Sequence, residues 1–232
     1  MPDNIFISET GEHIPIIITT RRGVRNITLR PRIVPKREIH ISKPWLTPDY
    51  MVLRFIEQKR KWIDKIYANA PLHMEIRPGM RISILGRDVL LVHNPQLRSN
   101  EYSRDGTLLI IGGDITMFSR RVRDFVRAEL MREIKKLIAT TPREYHPRRI
   151  SLRDTTSRWG SCSTTGTMSF SWRLAFAPYD VMRYVVMHEL AHTKHMNHSP
   201  AFWATVRELY GFGVERAKRW LNQNGAQLHQ YF

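Results

Sequence analysis

Short stretches of alternating apolar and polar residues dominate the first part of the chain. Pro15 to Thr20, Asn26 to Arg30 and Glu38 to Ser42 are rich in β-branched residues at a period of two, which predicts three strands. Thr47-Pro48-Asp49 then opens a helix, because Val52, Phe55, Ile56, Trp62, Ile63 and Ile66 keep a helical spacing to about Tyr67. Strand patterns return at Met80 to Ile84, Val89 to His93 and Thr107 to Ile111, the first two joined through Gly86-Arg87-Asp88. From Thr116 to Ile138, Phe118, Val122, Phe125, Val126, Leu130, Ile134, Leu137 and Ile138 form one apolar stripe, predicting a long scaffold helix. Ile150 to Arg153 reads as a strand, and Thr167 to Phe176 alternates Met168, Phe170, Trp172, Leu174 and Phe176 on one face. Val181, Tyr184, Val185, His188, Ala191 and His192 then recur at helical spacing after Ala177-Pro178, with Asp180 in the first turn. Phe202, Trp203, Val206, Leu209 and Tyr210 predict another helix, and Ala217, Trp220 and Leu221 a last one. The expected fold is α+β: a β-rich N-terminal lobe with one helix over 1–114, followed by a second lobe over 115–232.

The helix ending near His192 carries the chemistry. Residues 188 to 198 read HELAHTKHMNH. His188 and His192 are four apart, so on a helix they lie one turn apart on one face, where two imidazoles reach one metal ion. Glu189 lies beside them. This is the H-E-x-x-H arrangement of zinc metallopeptidases, in which the glutamate takes a proton from the attacking water. The pattern predicts Zn2+ as cofactor, with His188 and His192 as ligands and Glu189 as catalytic base.

A catalytic zinc has three protein ligands and an open position, so a third donor is expected. His195 would stand about 10.5 Å along the axis from His188, too far for three side chains of one straight helix to converge. Asn197-His198-Ser199-Pro200 reads as a turn, with Ser199 capping the next helix, and a bend there lets His198 fold back. His198 is favoured, with Glu208 on the following helix as its rival. Metzincins share this histidine spacing, but His195 stands where they have glycine and no methionine follows Met196, which argues against that group.

Around the motif lie Ser157-Arg158-Trp159-Gly160-Ser161-Cys162-Ser163, Gly166, Trp172-Arg173-Leu174, Ala177-Pro178, Tyr184-Val185-Val186, Asn197-His198-Ser199 and Phe202-Trp203. Together with H-E-L-A-H these resemble the YgjP-like metallopeptidase family, a more distant relation of the SprT-type metallopeptidases. The resemblance extends more weakly to the arginine-rich opening, Lys61-Trp62-Ile63 and Gly86. It implies a zinc-dependent hydrolase with ligands His188, His192 and His198, base Glu189, and a zincin-like second lobe acting on a protein or peptide substrate. The strand at Thr167 to Phe176 is then expected to be the edge strand that pairs with an extended peptide, while Trp172 and Phe176 read as core. Tyr184, His195, Arg158 and Tyr210 are candidates to stabilise the oxyanion, Arg158 first because it leads the R-W-G-S-C turn.

Composition narrows the setting. The 232 residues are 42% hydrophobic, enough for a substantial core, and no stretch reaches the roughly 20 apolar residues of a membrane span. The single cysteine, Cys162, rules out an internal disulfide and fits a reducing, cytoplasmic setting. Burial is its expected state, with a place near the metal as the alternative. Lys and Arg number 37 against 21 Asp and Glu, a formal charge of +16. Eight basic residues from Arg21 to Lys43 meet only Glu38, and Arg143, Arg148, Arg149, Arg153 and Arg158 form a second run. Nonspecific nucleic acid is therefore a possible partner. The alternatives to a plain peptidase are a basic nucleic-acid-binding protein with a structural zinc, or a protease acting on nucleic-acid-bound proteins.

Overall fold

Ile14 and Ile16 alternate with exposed His13, Pro15 and Ile17, and this period of two makes one face of a strand apolar. The computed structural model, which describes residues 5–32, 36–68, 74–155 and 158–232, builds the first sheet on that face. Strands β1 (Ile5–Ile7), β2 (His13–Arg21), β3 (Thr28–Arg32) and β4 (Glu38–Pro44) lie in the order β1-β2-β4-β3. The central pair β2 and β4 is parallel, with Ile16 opposite Ile39 and Ile18 opposite Ile41. Helix α1 (Asp49–Ala68) buries Val52, Ile56, Ile63 and Tyr67, one stripe at helical spacing, in a core with Phe6, Ile14, Ile39 and Ile41. The Tyr67 hydroxyl donates to the Glu38 carbonyl at 2.7 Å, satisfying the polar end of a buried ring.

The chain divides between Met74 and Glu75 into two compact units. In the second, β5 (Arg81–Ile84), β6 (Arg87–Asn94), β7 (Asn100–Tyr102) and β8 (Leu108–Gly112) form a sheet in the order β5-β6-β8-β7. Asp114 accepts from the Thr116 amide at 2.8 Å and caps a 3-10 turn that leads into α2 (Phe118–Ala139). Next come β9 (Arg149–Arg153), β10 (Gly160–Cys162) and β11 (Thr167–Ser171), a 3-10 turn at Trp172–Phe176, and helices α3 (Tyr179–Ala191), α4 (Pro200–Tyr210) and α5 (Val214–Asn224). Helix α2 contacts both α3 and the 3-10 turn, as expected of a scaffold helix.

Two features differ from the sequence reading. The sheet of β5 to β8 belongs with the helices that follow, so the division falls at 74/75 where the sequence suggested 114/115. The cause is the tight turn Leu85-Gly86, where both residues have positive φ, 51° and 79°. The Leu85 amide donates to the Ala175 carbonyl at 2.6 Å, and a Cβ on Gly86 would come within 3.3 Å of the Tyr179 amide nitrogen. The turn is thus fitted against the start of α3. The second difference is the edge strand. β11 ends at Ser171 and lies in the middle of its sheet, parallel to β9 and antiparallel to β10. Its main-chain groups are paired on both sides, and the edges of this sheet are β9 and β10, the latter formed by Gly160-Ser161-Cys162 of the R-W-G-S-C segment. Among the described residues no helix is long and apolar enough to cross a membrane.

A buried cluster ties residues 229–231 to this unit. Arg173 donates to Asp154 at 2.8 Å and to the Tyr231 carbonyl at 2.6 Å, and the ring of His229 lies 5.4 Å from that of Trp159. Burial, aided by the Arg173 charge and opposed by Asp154, lowers the pKa of His229 from 6.5 to about 4. The unfolded chain therefore binds a proton that the folded chain refuses between these values, and stability falls as pH drops from 6.5 toward 4. We expect His229→Phe to remove up to about 3 kcal/mol of this pH dependence, read as the wild-type-minus-variant difference in urea unfolding free energy across that range. Equal pH dependence in both proteins would contradict the assignment.

Candidate metal centre

His188 occupies the last turn of α3 and His192 its C-cap, four residues on and therefore on the same face. The chain then folds through two reverse turns, in which the Thr193 and Lys194 amides donate to Leu190 and Ala191 carbonyls. That reversal brings His198 back over the helix end, immediately before Ser199, whose hydroxyl caps α4 by accepting from the Phe202 amide at 3.3 Å. Nε2 of His198 is 3.2 Å from Nε2 of His188, and one ligand atom of each of the three histidines lies within 4.8 Å of the others. Two nitrogens bound to one tetrahedral ion at about 2.0–2.1 Å stand roughly 3.3 Å apart, so this spacing suits a shared ion.

The surroundings favour neutral imidazoles with aimed lone pairs. Nδ1 of His192 donates to the His195 carbonyl at 2.9 Å, which leaves its Nε2 as the free acceptor. The Tyr184 hydroxyl is 3.5 Å from Nδ1 of His188, at the limit of a hydrogen bond. Burial lowers the pKa of His188 to about 4, helped by His192, His198 and Lys218, and burial lowers that of His192 as well. Phe202, fully buried at the start of α4, packs its ring 4.9, 4.5 and 4.7 Å from those of His188, His192 and His198. The three rings thus rest on one aromatic floor, which fixes their orientation by contact.

Glu189 points to another neighbour. It is 5% exposed, and a Cβ on Gly160 of β10 would fall 2.5 Å from its Cγ and Oε1. Only glycine lets the strand pass so near. Burial raises the Glu189 carboxyl to a pKa of about 7, against the pull of Arg158. The rest of R-W-G-S-C holds this approach in place. Trp159 lies against Gly225, where a Cβ would be 2.9 Å from its ring, and Ser161 hydrogen-bonds Ser169 across the strand pair at 2.8 Å. Ser157 of the same segment lies outside the described residues. Cys162 is half-buried and outside the histidine cluster, its thiol pKa raised by burial and by the Glu189 charge.

A cavity of about 270 Å³ opens beside these groups, lined among others by Trp159, Gly160, Tyr184, His188, Glu189 and Lys218. Lys218 and its neighbour Leu221 come from α5, which sequence reasoning did not connect to the site, because a lysine on an amphipathic helix carries no mark of what it faces. Glu208 is exposed on α4 near Tyr145, whose pKa its charge helps raise after burial, and it does not join the histidines. Of the remaining sequence candidates, the Tyr210 hydroxyl donates to the Asp180 carbonyl at 3.2 Å, and His195 contributes its carbonyl to His192. Arg158 is exposed and Tyr184 lines the cavity.

Residues 25–224 match the family model described as YgjP-like, metallopeptidase domain. Comparison with curated proteins gives no match. Among solved structures the chain is similar to the metallopeptidase zymogen of Pyrococcus abyssi abylysin, with 23% identity and a TM-score of 0.33 over 46% of this chain and 98% of that one.

The close packing at Gly160 has a measurable cost when altered. Gly160→Ala should destabilise the protein by about 1–3 kcal/mol, since either Glu189 or β10 must shift to admit the methyl group. Urea unfolding reads this directly. If Gly160→Ala in a Glu189→Ala background remained as costly, the clash would lie elsewhere.

Proposed function

The chain belongs to the YgjP-like metallopeptidase family, and on that premise we propose that it is a zinc-dependent peptidase with His188, His192 and His198 as metal ligands and Glu189 as general base. The observation that carries this reading is the pairing of a three-histidine cluster with a buried, unliganded carboxylate on the next residue of the same helix. Zinc suits the donor set, because three neutral imidazoles leave a fourth tetrahedral position open. When bound, such an ion supplies a Lewis acid that polarises a carbonyl and makes water acidic near neutral pH.

The protein groups divide the remaining work. Glu189, with its pKa raised to about 7, accepts a proton from the attacking water and returns it to the departing amine. Gly160 holds that carboxylate between strand and helix, so that it stays off the metal. The His195 carbonyl and the Tyr184 hydroxyl orient the ligand rings. Exposed Arg158, beside Glu189, is the group we assign to the developing negative charge on the substrate oxygen. An extended substrate peptide lies along β10, whose outer edge pairs with no other strand among the described residues, and directs a side chain into the cavity beside Tyr184 and Lys218. Main-chain pairing of this kind selects conformation more than sequence.

Metal content and peptidase activity separate these roles. Purified protein should contain about one zinc per chain, and His198→Ala should lose most of it while Glu208→Ala keeps it. Glu189→Gln should retain zinc and fold yet lower cleavage of an unfolded protein substrate by about 10²–10⁴-fold. Wild-type activity in zinc-loaded Glu189→Gln would reduce the histidine cluster to a structural metal site.

A further inference from the structure

The sheet of the N-terminal unit packs α1 on one face, and no described element of that unit covers the other, where Ile17, Thr19, Thr28 and Arg30 are exposed. On the open face, cross-strand neighbours Arg30, His40 and Ile17 form one row, and Thr28, Ser42 and Thr19 the next. β3 is an edge strand, and its exposed positions are Thr28, Arg30 and Arg32. Arg21 ends β2, and Arg22 and Arg25 follow in the turn to β3. Of the nearby carboxylates, Glu12 pairs with Arg37 at 2.5 Å and Asp49 with Lys43, while Glu38, the cross-strand neighbour of Arg32, hydrogen-bonds His40 at 2.9 Å. Among the described residues Arg21, Arg25, Arg30 and Arg32 have no ion-pair partner, and Arg22 lies 5.8 Å over the ring of Trp45, itself 59% exposed.

We propose that this face binds single-stranded nucleic acid, with backbone phosphates on Arg21, Arg25, Arg30 and Arg32 and a base stacked on Trp45 beside Arg22. Arg30 and Arg32 lie on the edge strand and Arg21 and Arg25 at the β2–β3 end of the same sheet, with no ion pair among the described residues, so a polyanion that spans both is the complementary ligand. The planar fork of arginine matches phosphate oxygens in pairs, and an exposed indole offers any base a π-face. The formal charge of +16 on the whole chain adds long-range attraction without fixing the site.

Fluorescence anisotropy of a labelled twenty-nucleotide oligo-dT with the full-length protein tests this. Four phosphate contacts give a log–log salt slope near about −3, so affinity should fall roughly fifty-fold between about 50 and 200 mM salt. The combined Arg21→Gln, Arg25→Gln, Arg30→Gln and Arg32→Gln variant should lose most of that slope, and replacing the same four by Lys should restore most of it. Trp45→Ala should weaken binding by about five-fold or more with the slope unchanged. No binding at 50 mM salt, equal binding by the Gln variant, tighter binding of duplex of the same length, or displacement of the oligonucleotide by phosphatidylserine vesicles would each overturn the proposal. None of these substitutions touches the histidines or Glu189, so the peptidase reading stands or falls separately.

Discussion

The approach of β10 to α3 sets the geometry of the candidate metal centre. Where Gly160 meets Glu189 there is no room for a side chain, and the helix lies against the strand with the carboxylate caught between them. A helix held this way has no freedom to rotate, because turning it would drive Glu189 into the strand backbone. His188 and His192, on the neighbouring part of the same helix surface, therefore project in a fixed direction, toward the segment that carries His198 and the ring of Phe202. Trp159 extends the same constraint to the far end of the chain through Gly225 and His229.

Desolvation is the second agent at this centre, and it acts on bases and acids in opposite directions. The same burial that keeps His188 neutral raises Glu189, so the histidines are ready to donate lone pairs and the carboxylate has proton affinity near neutrality. Neither group needs a charged partner to reach that state. A salt bridge to Glu189 would lower its affinity for a proton, and Arg158 is exposed enough for water to weaken its pull.

Much of this was readable in the sequence where the signal was periodic or chemical. The long stripes of α1 and α2 announced themselves, as did α3, α4 and the Ser199 cap between them, because helical spacing repeats over several turns. The three-residue strands β1, β7 and β10 did not, since three residues cannot display a period of two. Thr167 to Phe176 alternated over its whole length, yet only 167–171 is strand: the 3-10 turn at Trp172–Phe176 buries consecutive residues, which mimics alternation when only the even-numbered large side chains stand out. The R-W-G-S-C segment was recognisable by resemblance, but the reason for its glycine was not, because a contact 29 positions away leaves no local trace. Lys218 was hidden for the same reason.

The three histidines differ in how they are carried. His188 and His192 are set by one helix, while His198 sits on an exposed bend whose position depends on α4 being docked and capped. A chelate of this kind is closed by a short loop, and the entropy of closing six residues is small once both ends are anchored. In the proposed site, cooperativity therefore runs between His198 and the packing of Phe202: whatever loosens α4 opens the histidine cluster, and an ion held there would fasten α4 to α3. The bend at 193–198 is in this sense a clasp, linking occupancy of the centre to the integrity of the C-terminal helices.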